Sequence, residues 1–124
     1  MGNAAEKTVE KRIKQEKNRL NRFYKDLQGD KKGIAAGLIE RAAFMRVQCQ
    51  DLEAFLNENG WTEPFSQGNQ EPYDRARPQG QMYNTLNSNY QKIIKQLEAM
   101  LPQEEKRKEE GDGFDQFITG RPEV

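Results

Sequence analysis

The stretch RPQGQMYNTLNSNYQKIIKQLEAMLP, residues 77–102, decides the fold because its apolar residues recur at helical spacing. At about 100° per residue, nine apolar side chains fall within an arc of roughly 120°. They are Met82, Tyr83, Leu86, Tyr90, Ile93, Ile94, Leu97, Met100 and Leu101. Pro78 suits a helix start and Pro102 disfavours helical geometry just before it, which predicts a helix over residues 79–101. Such a two-faced helix must lay its apolar side against another surface.

A second helix, from Ile34 to Leu56, is the nearest candidate for that surface. One seam runs along Ile34, Leu38, Met45, Cys49, Leu52 and Leu56. Phe44 and Phe55 widen this seam, while Ile39 and Val47 are expected to project elsewhere. A surface helix needs one covered stripe, so the extra apolar sides predict either a central place in the protomer or burial against another subunit.

The first helix, about Glu6 to Leu27, has a narrower apolar stripe and a basic side. The stripe consists of Val9, Ile13, Leu20, Phe23, Tyr24 and Leu27. The segment QGDKKG, residues 28–33, is expected to break the chain there, with Gly29 as the C-cap of this helix. Residues 1–32 therefore form a basic N-terminal helix and turn, and residues 33–102 a helical core.

The loop over residues 59–78 and the segment over residues 103–124 are the non-helical parts. Three prolines forbid a continuous helix in the loop, while Trp61, Phe65 and Tyr73 favour an ordered, packed excursion that also admits a short β-hairpin. Residues 103–124 are too polar to join a core and are expected to form an acidic, flexible tail. The predicted fold class is mainly α, a three-helix protomer with an aromatic loop between its second and third helices.

Composition excludes several kinds of site. The chain has one cysteine and no histidine, so it forms neither an internal disulfide nor a Cys/His zinc site, and it lacks the usual base of a nucleophilic triad. Cys49 lies on an apolar seam, which is typical of a buried structural thiol. No phosphate-binding glycine motif occurs, and GDGFDQF at 111–117 lacks the later ligands of a calcium loop. We therefore expect no enzyme, no cofactor and no metal, and a soluble cytoplasmic protein without a membrane span.

Charge is unevenly distributed although the formal net charge is zero. Residues 1–32 hold ten Lys and Arg against five Asp and Glu, and residues 33–124 hold ten against fifteen. This excess predicts an anionic partner, with DNA as the leading candidate. The candidate DNA contacts are Lys7, Lys11, Arg12, Lys14, Lys17, Arg19, Arg22, Lys25, Lys31 and Lys32. The alternative is a solvated face with internal pairs at i,i+4, namely Glu10–Lys14, Arg12–Glu16 and Arg22–Asp26.

The segment GLIERAAFMRVQCQDLEAFLNENGW, residues 37–61, followed by the helix at 77–102, resembles the small terminase subunits of tailed double-stranded-DNA phages. The resemblance covers roughly residues 20–102 and consists of helix-packing patterns. It implies a non-enzymatic protein in the cytoplasm of an infected bacterial host. Such proteins assemble into homo-oligomeric rings, recognise viral double-stranded DNA and hand it to the large terminase subunit, whose ATPase and nuclease they regulate.

Carried over to this chain, the resemblance implies structural roles for two sets of residues. Core and subunit contacts fall on Ile34, Leu38, Phe44, Met45, Leu52, Phe55, Met82, Leu86, Tyr90, Ile93 and Leu97. The leading large-subunit contacts, which rest on chemistry more than on resemblance, are Phe114, Phe117 and Ile118. Many family members carry a separate N-terminal helix-turn-helix module, whereas the roughly thirty residues that precede the second helix in this sequence show no recognition-helix pattern, so we expect no strong DNA sequence specificity from them. The competing hypothesis is a small helical protein–protein interaction adaptor or regulator that binds no nucleic acid.

Overall fold

The computed structural model describes residues 4–102, with side chains from Glu6 onward. The chain forms three helices and one two-stranded antiparallel sheet. In chain order these are α1 (Ala4–Phe23), α2 (Asp30–Asn59), β1 (Thr62–Phe65), β2 (Tyr73–Ala76) and α3 (Pro78–Ala99). The prediction of a mainly helical chain with three helices is therefore confirmed, and the loop between the second and third helices forms the short β-hairpin that its sequence admitted.

The central helix is α2, which packs against both α1 and α3. One core joins all three helices, and it includes Leu20, Tyr24 and Leu27 from the end of α1 and the turn that follows. From α2 come Ala35, Ile39 and Ala42, and from α3 and the turn after it Leu97 and Leu101. The predicted division after residue 32 falls inside α2, and the residues on its two sides share this core.

The connection between α1 and α2 differs from the prediction at both ends. Helix α1 ends at Phe23, before Leu27, and α2 begins at Asp30, before Ile34. Gly29 is the N-cap of α2 and not the C-cap of α1, with φ of 65°. That backbone conformation favours glycine because it has no Cβ. The polar run DKKG fits a first helical turn because its side chains lie in solvent, and Asp30 is favourable at the positive end of the helix dipole.

The β-hairpin is held by side chains as well as by its ladder. Thr62 pairs with Ala76 and Phe65 with Tyr73, and Gly68 turns the chain between the strands with φ of 61°. The Arg75 guanidinium lies 3.8 Å from the centroid of the Phe65 ring. Glu63 accepts hydrogen bonds from Arg75 at 2.9 Å and from the arginine that follows β2 at 3.3 Å.

The hairpin also packs onto the first turn of α3. The Trp61 ring meets Tyr83 edge-on with 6.1 Å between centroids. A Cβ added at Gly80 would lie 3.0 Å from the Trp61 ring, so this close packing depends on the glycine. Trp61, which follows the end of α2, therefore packs directly onto the first turns of α3.

Candidate nucleic-acid interface and apolar groove

Four of the predicted DNA contacts form one stripe on the side of α1 that faces away from α2. We call this set, Lys7, Lys11, Lys14 and Arg22, the basic stripe. All four side chains are exposed. At 3.6 residues per turn they fall within an arc of about 80°, opposite the buried side chain of Leu20, and they extend over about 22 Å of helix. This geometry presents several cations at once to an extended anionic surface.

Three other predicted contacts are paired with carboxylates instead, two of them across to α2. Arg12 forms an ion pair with Asp51 of α2 at 2.7 Å, and Lys17 lies 3.5 Å from Glu40 of α2. Arg19 pairs with a carboxylate of its own helix. These three cations therefore lie at the flank of α1 and are separate from the basic stripe.

The remaining three predicted contacts lie outside α1. Lys25 follows the end of the helix, and Lys31 and Lys32 occupy the first turn of α2. All three side chains are exposed. They add positive charge around the turn between the two helices without belonging to the stripe.

Among the residues that the structure describes, the i,i+4 ion pairs that the alternative interpretation expected along α1 are not formed. Arg12 pairs with α2, and Glu16 pairs with Arg19 and with Arg46 of α2. Over residues 6–102, no ion pair joins Glu10 to Lys14 or Arg22 to Asp26. The stripe's Lys14 and Arg22 therefore keep their charge directed toward solvent.

A carboxylate on the inner side of α1 forms a polar network that sequence reasoning missed. Glu16 is only 11% exposed and accepts two hydrogen bonds from Arg19, at 2.9 and 2.6 Å. Hydrogen bonding to Glu16 raises the pKa of Arg19 above its usual value. Arg46 of α2 lies 3.5 Å from the same carboxylate and donates to the Tyr90 hydroxyl of α3 at 3.4 Å. The sequence signal was an acid placed between Ile13 and Leu20 on the apolar stripe.

An apolar groove lies between α2 and α3, on the side of α2 away from the main core. Its apolar walls are Phe44 and Leu52 from α2 and Met82 and Leu86 from α3. The neutral side chains Gln48, Gln81, Thr85 and Asn89 complete the lining with Pro78. We call this the α2–α3 groove; its volume is about 660 Å³. Phe44 is 50% exposed and Met82 55% exposed, so the walls are open to solvent.

The predicted core and subunit contacts divide into three groups in the structure. Leu97 is fully buried, and Leu38, Tyr90 and Ile93 pack against the core. Met45, Leu52, Phe55 and Leu86 are half-buried. Ile34, Phe44 and Met82 are exposed in the protomer, with Ile34 at 59%.

The buried side of α2 is rotated from the predicted seam. Ile39 and Val47, expected to project elsewhere, are each only 2% exposed. Ala42 and Ala43 are both fully buried, and their small side chains allow a neighbouring helix to approach closely. Of the predicted seam, Cys49 and Leu56 are buried, Leu38, Met45 and Leu52 are half-buried, and Ile34 is exposed, so the seam lies at the border of the buried side.

Two further groups, Cys49 and Tyr83, have pKa values raised by their surroundings. Burial raises the pKa of the Cys49 thiol, which disfavours the reactive thiolate. The hydrogen bond that Tyr83 donates to Glu53, at 2.8 Å, raises the pKa of Tyr83. Over residues 4–102, no three Cys, Asp or Glu side chains come together as metal ligands, and no helix is both long and apolar enough to cross a bilayer.

The predicted large-subunit contacts Phe114, Phe117 and Ile118, and the tail that carries them, lie outside the described residues. Within the described residues, the basic stripe and the α2–α3 groove are two surfaces open to a partner. Comparison of the chain with protein-family models, with curated proteins and with solved structures returns no match. The resemblance to small terminase subunits accordingly stays a prediction.

Proposed function

We propose that this chain is a non-enzymatic, homo-oligomeric DNA-binding component of the small-terminase kind, which brings viral double-stranded DNA to a large terminase subunit. The observation that carries the proposal is the basic stripe. Its cations project from one side of α1, whereas the flanking Arg12, Lys17 and Arg19 are taken up by carboxylates. The charges left for a partner are therefore aligned and not scattered.

The length of the stripe suits a phosphate backbone. Duplex DNA carries one negative charge per roughly 1.7 Å of its axis, so a helix face about 22 Å long passes many phosphates. Each phosphate neutralised releases counterions and contributes about −0.9 to the slope of log K against log salt. Four cations per copy bind weakly by themselves, but several copies in one assembly bind in concert and gain avidity.

Self-association is supported by a second, separate surface on the N-terminal half of α2. Ile34 is 59% exposed, and Leu38 and Met45 are only half-buried. At 3.6 residues per turn these three side chains share an arc of about 40° on α2. A neighbouring copy that covers this strip removes apolar area from water, at about 25 cal/mol per Å². We propose that this strip contacts the next subunit of a ring.

The test measures mass and DNA binding on the same preparation. Light scattering should give a stable oligomer at micromolar concentration, and fluorescence anisotropy should show duplex binding that weakens as salt rises. Lys11→Glu with Lys14→Glu should abolish most of that binding. The matched control, Lys92→Glu with Lys95→Glu, makes the same charge change on α3 and should bind nearly as the parent does. A monomeric protein, or equal losses in both variants, would contradict the proposal.

The α2–α3 groove favours a second candidate, a helical protein–protein adaptor that binds no nucleic acid. Its exposed apolar walls, Phe44 and Met82, are the kind of surface that partner proteins cover. The same anisotropy experiment separates the two candidates. An assembled protein without salt-sensitive DNA binding would favour the adaptor.

A further inference from the structure

We infer that the α2–α3 groove is the docking site of the chain's own C-terminal segment, and that Phe114, Phe117 and Ile118 enter it. This contact is distinct from DNA binding and from the strip of Ile34, Leu38 and Met45, and it depends on neither. It commits the groove to one occupant, the segment of the same polypeptide that follows Pro102.

The groove is built for apolar side chains. Phe44 and Leu52 face Met82 and Leu86 across it, and the remaining lining is uncharged. A volume of about 660 Å³ lies within the usual range of roughly 300–1,000 Å³ for a binding cleft. Phe44 and Met82, which are half exposed, gain most when the groove is filled. An occupant must therefore supply a compact apolar cluster without a central charge.

The sequence after Pro102 contains one such cluster. Residues 103–113 hold no apolar side chain, and Phe114, Phe117 and Ile118 then follow at i, i+3 and i+4. This is the spacing with which a helical peptide presents one apolar side to a groove between two helices. At this spacing a helical peptide would present the three side chains within about one turn, which matches a short groove better than a long surface.

The segment is long enough to return to the groove of its own chain. Helices α2 and α3 run antiparallel, since Glu53 contacts Tyr83 and Arg46 contacts Tyr90. From Leu101 back to the level of the groove is about 25 Å along α3, at 1.5 Å per residue. Residues 103–113 span up to about 36 Å when extended. The linker therefore reaches the groove with length to spare for the reversal of direction.

Charge along this route also matches the segment. Lys92 of α3 and Arg41 of α2 are exposed and lie between the groove and the end of α3. Glu40, which also borders Phe44, is paired with Lys17 at 3.5 Å. Asp112 and Asp115 flank Phe114 in the sequence. An apolar cluster bordered by carboxylates thus meets an apolar groove bordered by cations, which favours this segment over a basic occupant such as the α1 of a second copy.

The first experiment uses the full chain labelled with ¹³C in its methionine methyl groups. Met82 reports on the groove, and Met100, which packs against the core, serves as an internal control. Phe114→Ser with Phe117→Ser should shift the Met82 resonance and leave Met100 in place. The matched control Val124→Ser changes an apolar tail residue outside the cluster and should leave both unchanged. An unchanged chemical shift of Met82 in the double variant overturns the proposal.

The second experiment distinguishes the same chain from a neighbouring one. A nitroxide attached at Thr119→Cys, in a Cys49→Ala background, should broaden most of the Met82 signal and leave the Met100 signal sharp. Reduction of the nitroxide should restore the Met82 signal. The broadening should persist when the protein is equilibrated with a large excess of unlabelled chain. Broadening that disappears on this dilution would place the C-terminal segment in the groove of a second copy. Absence of any broadening would show that the C-terminal segment does not occupy the groove. Either result overturns the proposal. Neither readout involves DNA, so failure here is separate from failure of the proposed function.

Discussion

Replacing Leu97 with alanine tests whether the three helices share one core. Leu97 is fully buried and is the largest side chain in residues 6–102 that is excluded from solvent to this degree. It belongs to the cluster that contains Leu20 and Tyr24 at the end of α1 and Ile39 and Ala42 of α2. Truncating it therefore opens a cavity in the core cluster to which all three helices contribute.

The expected cost follows from the atoms removed. Three carbon atoms leave the core, at about 0.8 kcal/mol each, which gives a transfer cost of about 2.4 kcal/mol. A cavity that the neighbours fill only in part adds to this, and fully buried Leu→Ala changes cost about 2–5 kcal/mol. We expect Leu97→Ala to lower the free energy of unfolding by about 3 kcal/mol, a large part of the roughly 5–15 kcal/mol typical of a domain.

Urea unfolding followed by far-UV circular dichroism measures this cost. Protein concentration must be the same for every variant, because self-association makes the apparent stability depend on it. The matched control is Gln96→Ala, a neighbouring exposed position on α3, which should change the free energy of unfolding by less than about 0.5 kcal/mol. A cost below about 1 kcal/mol for Leu97→Ala, with an unchanged m-value, would refute the packing of α3 in this core.

Three further changes test the hairpin and the start of α3. Tyr83→Phe removes the hydrogen bond to Glu53, which raises the pKa of Tyr83 in the folded protein. The stabilisation from this bond is therefore fully present below the ordinary tyrosine pKa of about 10, and it is lost as pH rises through the higher pKa of the folded state. The stability difference from the parent should thus be constant from neutral pH to about pH 9 and shrink above that, as measured by urea titrations across this range. Gly80→Val should displace the Trp61 ring, shift the fluorescence of this single tryptophan and lower stability by about 1–3 kcal/mol; an unchanged emission spectrum would contradict the close packing. Glu63→Gln should weaken the bonds from two arginines and lower the thermal midpoint by a few degrees, equivalent to about 1 kcal/mol, and a midpoint equal to the parent's would show that these bonds contribute nothing.

The position of α3 was predictable because its sequence carries its own boundaries. Apolar residues recur at helical spacing, Pro78 occupies the first turn, and Pro102 follows the last. The possibility of a β-hairpin could be seen in the sequence for a similar reason, since prolines and a glycine lie between the aromatic residues of the loop. Local chemistry decides both features, so one sequence contains the information.

The buried side of α2 was harder to predict because it depends on fit and not on hydrophobicity alone. Weighting residues by size placed Ile34 and Phe44 inside, whereas both are at least half exposed and Ala42 and Ala43 are fully buried. Small side chains give a weak signal in a periodicity analysis, although they permit short distances between helices. Where α2 meets two helices at once, this requirement determines which side faces inward.

The ion pairs of α1 could not be predicted from spacing within that helix. Its i,i+4 pattern favoured Arg12–Glu16, but Arg12 contacts Asp51, thirty-nine positions away. An acid on α2 competes successfully because packing has already brought the two helices together, so little further ordering of the chain is required. The division of the basic residues into structural and solvent-facing groups is therefore a property of the fold.

That division makes the two roles of α1 separable. Arg12 and Arg19 sit at the border with α2, and Glu16 with Arg46 extends the contact toward α3, so these charges fix the orientation of the helix. The basic stripe lies on the opposite side and is solvent-exposed, where substitutions usually change stability by less than about 0.5 kcal/mol. Because the orienting charges and the outward charges do not overlap, neutralising the stripe removes positive charge from the solvent-facing side of α1 and leaves the helix that displays it in position.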